Sequence, residues 1–87
     1  MAISHWLGIE ISSVDSLMLI NSVVEDSRAL RAGIHPSGVI TAINYRSVCG
    51  MTPDQAVAQM RGAPGSEVTL TIYRRNLHRT FPVTMTH

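Results

Sequence analysis

Apolar and polar residues alternate along several short segments, and this period of two predicts β-strands. The clearest alternation is Val-Thr-Leu-Thr-Ile within residues 68–74, so one face of this strand should be buried. A similar pattern over residues 81–86 predicts a further strand, which Pro82 places at an edge or start of a sheet. Residues 7–12 and 17–24 flank a polar turn, which indicates a hairpin.

The remaining elements are one buried strand and two helices. Residues 39–43 are almost continuously apolar, which predicts a strand that crosses the core. A brief helix over residues 28–32 follows an Asp-Ser cap and ends at a glycine. A longer helix begins at a capping box of Thr52 and Gln55 and ends around Arg61. This order predicts an α+β fold, a partly open antiparallel barrel or sandwich of five to six short strands capped by two helices.

Composition limits the chain to one small domain, which we expect to cover residues 1–87 with a core of about 6–86. Hydrophobic residues make up 45% and aromatic residues only 5%, so the core should be aliphatic. A net charge of +1 offers little attraction for nucleic acid or anionic lipid. The longest apolar run, residues 17–20, is too short to insert into a membrane, and no signal peptide is predicted at the N-terminus.

The sequence offers no pattern for a cofactor, a metal or catalysis. Cys49 is the single cysteine, which excludes an internal disulfide and a cysteine-based zinc site. The four histidines are scattered without ligand spacing, so we expect them to be solvated; they are His5, His35, His78 and His87. No serine lies in a nucleophile-elbow pattern and no glycine-rich phosphate loop is present. We therefore expect a domain without enzymatic activity of its own.

An ordered set of motifs resembles a PDZ domain over residues 6–86. The Trp-Leu-Gly-Ile of residues 6–9 is similar to the carboxylate-binding loop that the family writes as Gly-Leu-Gly-Phe. Residues 27–33 resemble its short helix and residues 39–44 its buried strand. Residues 51–65 are most similar to the PDZ domains of bacterial C-terminal processing peptidases, with those of trypsin-like envelope proteases second. The resemblance implies a parent serine protease of the bacterial periplasm or cell envelope.

Two turns beside the buried strand depart from the family pattern. The preceding loop reads Pro36-Ser37-Gly38 where Pro-Gly-Asp is usual, and the following turn reads Asn44-Tyr45 where Asn-Gly is usual. Tyrosine is costly at positive φ, so altered turns are expected there.

PDZ-type recognition is β-augmentation, in which a peptide adds a strand to an open sheet edge. Backbone N–H groups at Gly8 and its neighbours should bind a terminal carboxylate, and the strand over residues 9–12 should have a free edge beside a flexible start at residues 1–5. One face of the longer helix should supply an apolar wall. The predicted peptide-binding residues are Leu7, Gly8, Ile9, Glu10, Ile11, Ser12, Pro53, Val57 and Met60.

These features predict a module that captures extended peptides or free C-termini by strand addition, for substrate recognition or regulation of a protease domain elsewhere in the parent protein. Many domains of the family that this chain resembles have a histidine at the first position of the longer helix. This chain has Pro53 there, and proline has no side-chain donor. We therefore expect apolar peptide residues at that position and at the peptide's end. The apolar face of the longer helix, which carries Pro53, Val57 and Met60, is also consistent with a role in the core alone. As an alternative function, another protomer or domain could occupy the peptide-binding site, which would make this chain a self-association or scaffolding module. A hydrolase within this chain is a third and weaker hypothesis.

Overall fold

The computed structural model describes all residues, 1–87, and contains seven strands and two helices. The elements are β1 (Ala2–Ser4), β2 (Ile9–Val14), β3 (Leu17–Val23), α1 (Arg28–Arg31), β4 (Val39–Ile43), β5 (Arg46–Ser47), α2 (Pro53–Gln59), β6 (Glu67–Arg74) and β7 (Arg79–Thr86). All strands join one antiparallel sheet in the order β1-β2-β3-β4-β6-β7, and β5 pairs with β4. The predicted α+β class is confirmed, although the sheet is not closed into a barrel because β1 and β7 remain at its two ends.

The core is aliphatic, as the low aromatic content predicts. Strands β2, β3 and β7 bury alternate side chains, which is the period expected of a sheet with one covered face. The central strands β4 and β6 bury consecutive residues as well, Val39 with Ile40 and Val68 through Leu70. Helix α2 adds Ala56, Val57 and Met60, and α1 adds Ala29. The side chains that are most completely enclosed are Leu7, Ile9, Ile11, Ile20, Ile34, Ile40, Ile43, Met60, Leu70 and Val68.

The helix boundaries follow the local signals. The Thr52 side chain accepts from the Gln55 backbone N–H at 3.1 Å, and the Gln55 side chain accepts from the Thr52 N–H at 2.9 Å, which completes the predicted capping box. The Ser27 side chain likewise accepts from the Leu30 N–H at 3.1 Å and begins α1. Helix α2 ends slightly before the predicted position, with Met60 as its C-cap.

Two strands were not predicted, and both are very short. β5 forms a tight hairpin with β4 around Asn44 and Tyr45, which take the left-handed conformation at φ 49° and 63°. The Asn44 side chain accepts from the Thr69 N–H at 2.9 Å, which holds this turn against β6. β1 replaces the flexible start expected for residues 1–5, and it determines the state of the site described next.

Candidate peptide-binding groove

Most of the predicted binding residues converge, but they are buried. The loop before β2, the start of β2 and the inner face of α2 all contribute to one core cluster, through Leu7, Ile9, Ile11, Val57 and Met60. Gly8 is also buried, and the others are half-buried: Glu10, Ser12 and Pro53. We call the space between β2 and α2 the groove. The side chains that line it are those of Leu7, Ile9, Ile11, Val57 and Met60, and they form part of the folded core.

The edge of β2 that was predicted to be free is paired with β1. The pairing is antiparallel, with Ala2 opposite Ile11 and Ser4 opposite Ile9, and β1 also contacts α2. The prediction of an open edge was therefore wrong for this conformation. The edge is paired because residues 2–4 fold back across the loop of residues 5–8 and supply the backbone hydrogen-bonding partners that an edge strand otherwise lacks.

The donors of the predicted carboxylate-binding loop are also used within the chain. The Gly8 N–H donates to the backbone carbonyl of Ser4 at 2.8 Å. The Leu7 N–H donates to the Ser4 hydroxyl oxygen at 3.4 Å, which is long for a hydrogen bond. Ser4 thus presents two oxygens to the loop, as a terminal carboxylate would.

Gly8 is required by its backbone and by its surroundings. It lies at φ 81°, and a Cβ atom there would come within 2.2 Å of the Ser27 Cβ atom. The Gly8 carbonyl accepts from the Val24 N–H at 2.7 Å, and the Leu7 carbonyl accepts from the Ala29 N–H at 2.9 Å. The loop is therefore fixed against the start of α1, and this packing orients its N–H groups toward the groove edge.

A cluster of three side chains borders the loop on its outer side. Trp6 is 48% exposed, with the Arg28 guanidinium 5.4 Å from its ring centre and the His87 ring edge-on at 6.2 Å. His87 is buried, which corrects the expectation that all histidines are solvated. Its Nε2 lies 2.6 Å from the Met60 carbonyl oxygen and its Nδ1 lies 3.1 Å from the Ser66 carbonyl oxygen. His87, which follows β7, thus holds the C-terminal end of α2. No local pattern in the sequence indicates this contact.

Other site types receive no support from the side-chain arrangement. No group of three or more His, Cys, Asp or Glu side chains is placed to hold a metal ion. Neither of the two helices, which span four and seven residues, is long and apolar enough to cross a membrane.

Comparison with known proteins places the chain in a family. The family model for the PDZ domain matches residues 1–73. A "Probable CtpA-like serine protease" of Staphylococcus epidermidis is 40% identical over 68 residues, which cover 78% of this chain and 14% of that protein. A "Carboxy-terminal-processing protease" of Bartonella bacilliformis is 38% identical over 68 residues, with 78% and 16% covered. The chain thus spans only 14–16% of the length of these relatives.

Solved structures agree in fold. A photosystem II D1 C-terminal processing protease superposes with a TM-score of 0.83 at 19% identity, over 92% of this chain and 22% of that one. The PDZ domain of a carboxy-terminal protease from Vibrio cholerae, in complex with a peptide, gives a TM-score of 0.79 at 22% identity, over 92% and 89%. The chain belongs to the PDZ domain family, and its sequence relatives are C-terminal processing proteases.

Proposed function

We propose that this PDZ domain captures extended peptides, and free C-termini above all, by adding them as a strand to β2. The observation that carries the proposal is that β2 already accepts a short antiparallel strand whose last carbonyl is bound by the Gly8 N–H. A peptide in the same place would gain the same backbone pairing, which supplies affinity in β-augmentation. Its terminal carboxylate would take the place of the two Ser4 oxygens.

The register of β1 suggests where each peptide side chain would lie. The last peptide residue would replace Ser4 opposite Ile9, and the residue two before it would replace Ala2 opposite Ile11. Both of these positions face the core, because alternate residues of a strand point to the same side. Leu7, Val57 and Met60 line this side, so we propose an apolar last residue.

The second inward position lies on the side of the groove that α2 borders. Pro53 at the start of α2 is half-buried and has no side-chain donor. We therefore propose that an apolar residue is favoured over Ser or Thr at the peptide position that replaces Ala2.

The relatives suggest how this capture would be used. The 68 residues that match make up only 14–16% of these C-terminal processing proteases. We propose that the domain recognises substrates for, or regulates, a protease domain elsewhere in such a parent protein in the bacterial envelope. The related Vibrio cholerae PDZ domain is described in complex with a peptide, which supports the peptide-binding part of this proposal.

Binding to synthetic peptides by isothermal titration calorimetry tests the proposal. The probe is a ten-residue peptide with a free C-terminal leucine, and its control is the same peptide with an amidated end. We expect saturable binding that weakens at least about tenfold on amidation, since hydrogen bonds to a charged group contribute about 1.5–3 kcal/mol. Equal affinity for the two peptides would exclude recognition of the carboxylate.

Self-association through the groove is the alternative predicted from the sequence. In that case another protomer or domain would supply the strand that pairs with β2. The apparent molecular mass would then rise with protein concentration in analytical ultracentrifugation. A constant monomer mass together with carboxylate-dependent peptide binding would exclude this alternative.

A further inference from the structure

β1 occupies the position in which the proposed function requires a peptide. We propose that residues 2–4 are an internal competitor, which a peptide must displace from β2 before it binds. This inference rests on the proposed function and adds the regulation of the same site. Three properties of β1 support it: its geometry, the weakness with which it is held, and its attachment to the groove.

The geometry of β1 is that of a bound peptide end. β1 runs antiparallel to β2 and its last residue reaches the loop, where the Ser4 carbonyl accepts from the Gly8 N–H at 2.8 Å. Ala2 and Ser4 face the core and Ile3 faces outward at 44% exposure. Since the same edge of β2 pairs with one strand at a time, β1 and a peptide exclude each other.

β1 is held weakly in comparison with β2, β3, β6 and β7, the long strands of the sheet. It has three residues, and the two that it buries have small side chains, so little apolar area leaves water when it docks. Its neighbour Met1 is 79% exposed, and the Leu7 N–H bond to the Ser4 hydroxyl is long at 3.4 Å. Segments with few buried contacts open locally at low free-energy cost, so β1 can detach without loss of the fold.

Attachment makes this weak strand an effective competitor. Only the turn of residues 5–8 joins β1 to β2, and short tethers give effective concentrations of about millimolar or higher. The apparent affinity for a peptide is reduced by the fraction of molecules in which β1 is detached. A peptide with larger apolar side chains than Ala2 and Ser4 buries more surface and overcomes this competition, whereas a weakly matching peptide is rejected.

A cross-strand disulfide tests the competition directly. Ile3 and Glu10 are opposite each other in the β1–β2 pairing, so Ile3→Cys with Glu10→Cys places two thiols across the strands. The exposed Cys49 is replaced by Ser in this protein and in its control, to prevent mispairing. The probe is a dansyl-labelled ten-residue peptide with a free C-terminal leucine, and its binding is followed by fluorescence anisotropy.

We expect the oxidised protein to bind the probe at least about tenfold more weakly than the same protein after reduction, because the disulfide keeps β1 on β2 and so removes the state that binds the probe. The Cys49→Ser control should bind equally under both conditions. Equal binding by the oxidised and reduced forms of the double-cysteine variant would overturn the inference, and carboxylate-dependent binding in both forms would leave the proposed function intact.

A second variant tests the opposite direction and does not depend on disulfide formation. Ala2→Asp places a carboxylate in the core cluster and should expel β1, so probe affinity should rise at least about tenfold. Leu77→Asp, which adds the same charge at an exposed position of the β6–β7 turn, should bind as the unmodified chain does.

Unchanged affinity in folded Ala2→Asp would contradict the inference. Absence of probe binding by the unmodified chain, by Ala2→Asp and by the reduced double-cysteine variant would contradict the proposed function, and the inference would fail with it.

Discussion

The two edges of the sheet differ in how they are held. β7 is an eight-residue strand that pairs with β6 along its whole length and buries Val83 and Met85. β1 is a three-residue strand that buries only Ala2 and Ser4. The two edges of this sheet therefore differ in how much apolar surface they bury, and the exchange that we propose concerns the β1 edge alone.

A side-chain contact beside β7 adds to this contrast. His87 contacts the carbonyl oxygens of Met60 and Ser66 and so connects the β7 edge to α2. The competition that we propose requires an edge strand that a peptide can displace, and we assign that role to β1.

A pair of matched substitutions gives the largest expected difference between the edges. Val83 and Ala2 are almost equally buried, at 8% and 7% exposure. We expect Val83→Asp to cost about 3–5 kcal/mol, because the carboxylate stays in the core. Ala2→Asp should cost only about 1.4–2 kcal/mol, the docking free energy of β1 that a tenfold rise in affinity implies, because β1 detaches and its carboxylate reaches water. Urea unfolding followed by circular dichroism measures both, and equal destabilisation would mean that β1 is as integral as β7.

The loop that connects β1 to β2 should be rigid even though β1 is exchangeable. Gly8 and Gly65 both have left-handed backbones, at φ 81° and 86°, but a Cβ atom at Gly65 meets nothing within 4 Å. Each change to Ala should cost about 1–2 kcal/mol for the backbone. Gly8→Ala should cost about 1–3 kcal/mol more, because its methyl group would overlap Ser27. Thermal unfolding measures the stability of the two variants. Similar melting temperatures for Gly8→Ala and Gly65→Ala would show that the loop around Gly8 can shift to accommodate a methyl group.

Removal of the His87 side chain should weaken the β7 edge by a smaller amount. His87→Ala leaves the Met60 and Ser66 carbonyl groups without this partner, and we expect a loss of about 1–3 kcal/mol. Thr86→Ala, at the exposed neighbouring position, should remain within about 0.5 kcal/mol of the unmodified chain. Denaturant unfolding is the measurement, and an equal effect of the two changes would mean that the His87 contacts contribute nothing.

Local signals predicted most of the fold. The capping box that begins α2 needs only Thr52, Gln55 and the backbone between them, so four consecutive residues determine it. The apolar run over residues 39–43 and the alternation over residues 68–74 predicted both strands, although the burial of the polar Thr69 depends on its partner Thr84 in β7. The predicted binding residues of the loop, β2 and α2 lie in one cluster in this fold, and their role in peptide binding stays a prediction.

The occupied state of the groove was not predictable from the hydrophobic pattern. In β1 the apolar Ile3 is exposed and the polar Ser4 is buried, which is the reverse of what alternation normally indicates. Pairing with β2 and the hydrogen bond to the Gly8 N–H determine this orientation. The burial of His87 depends in the same way on partners distant in sequence.

Amide hydrogen exchange by NMR, with and without a saturating peptide that ends in a free leucine, tests whether β1 and a peptide compete for β2. We expect residues 2–4 to lose protection and to approach random-coil chemical shifts when the peptide binds. Residues 9–12 should stay protected, because the peptide replaces β1 as their partner. Persistent protection of residues 2–4 at saturation would contradict the claim that β1 and the peptide compete for one edge.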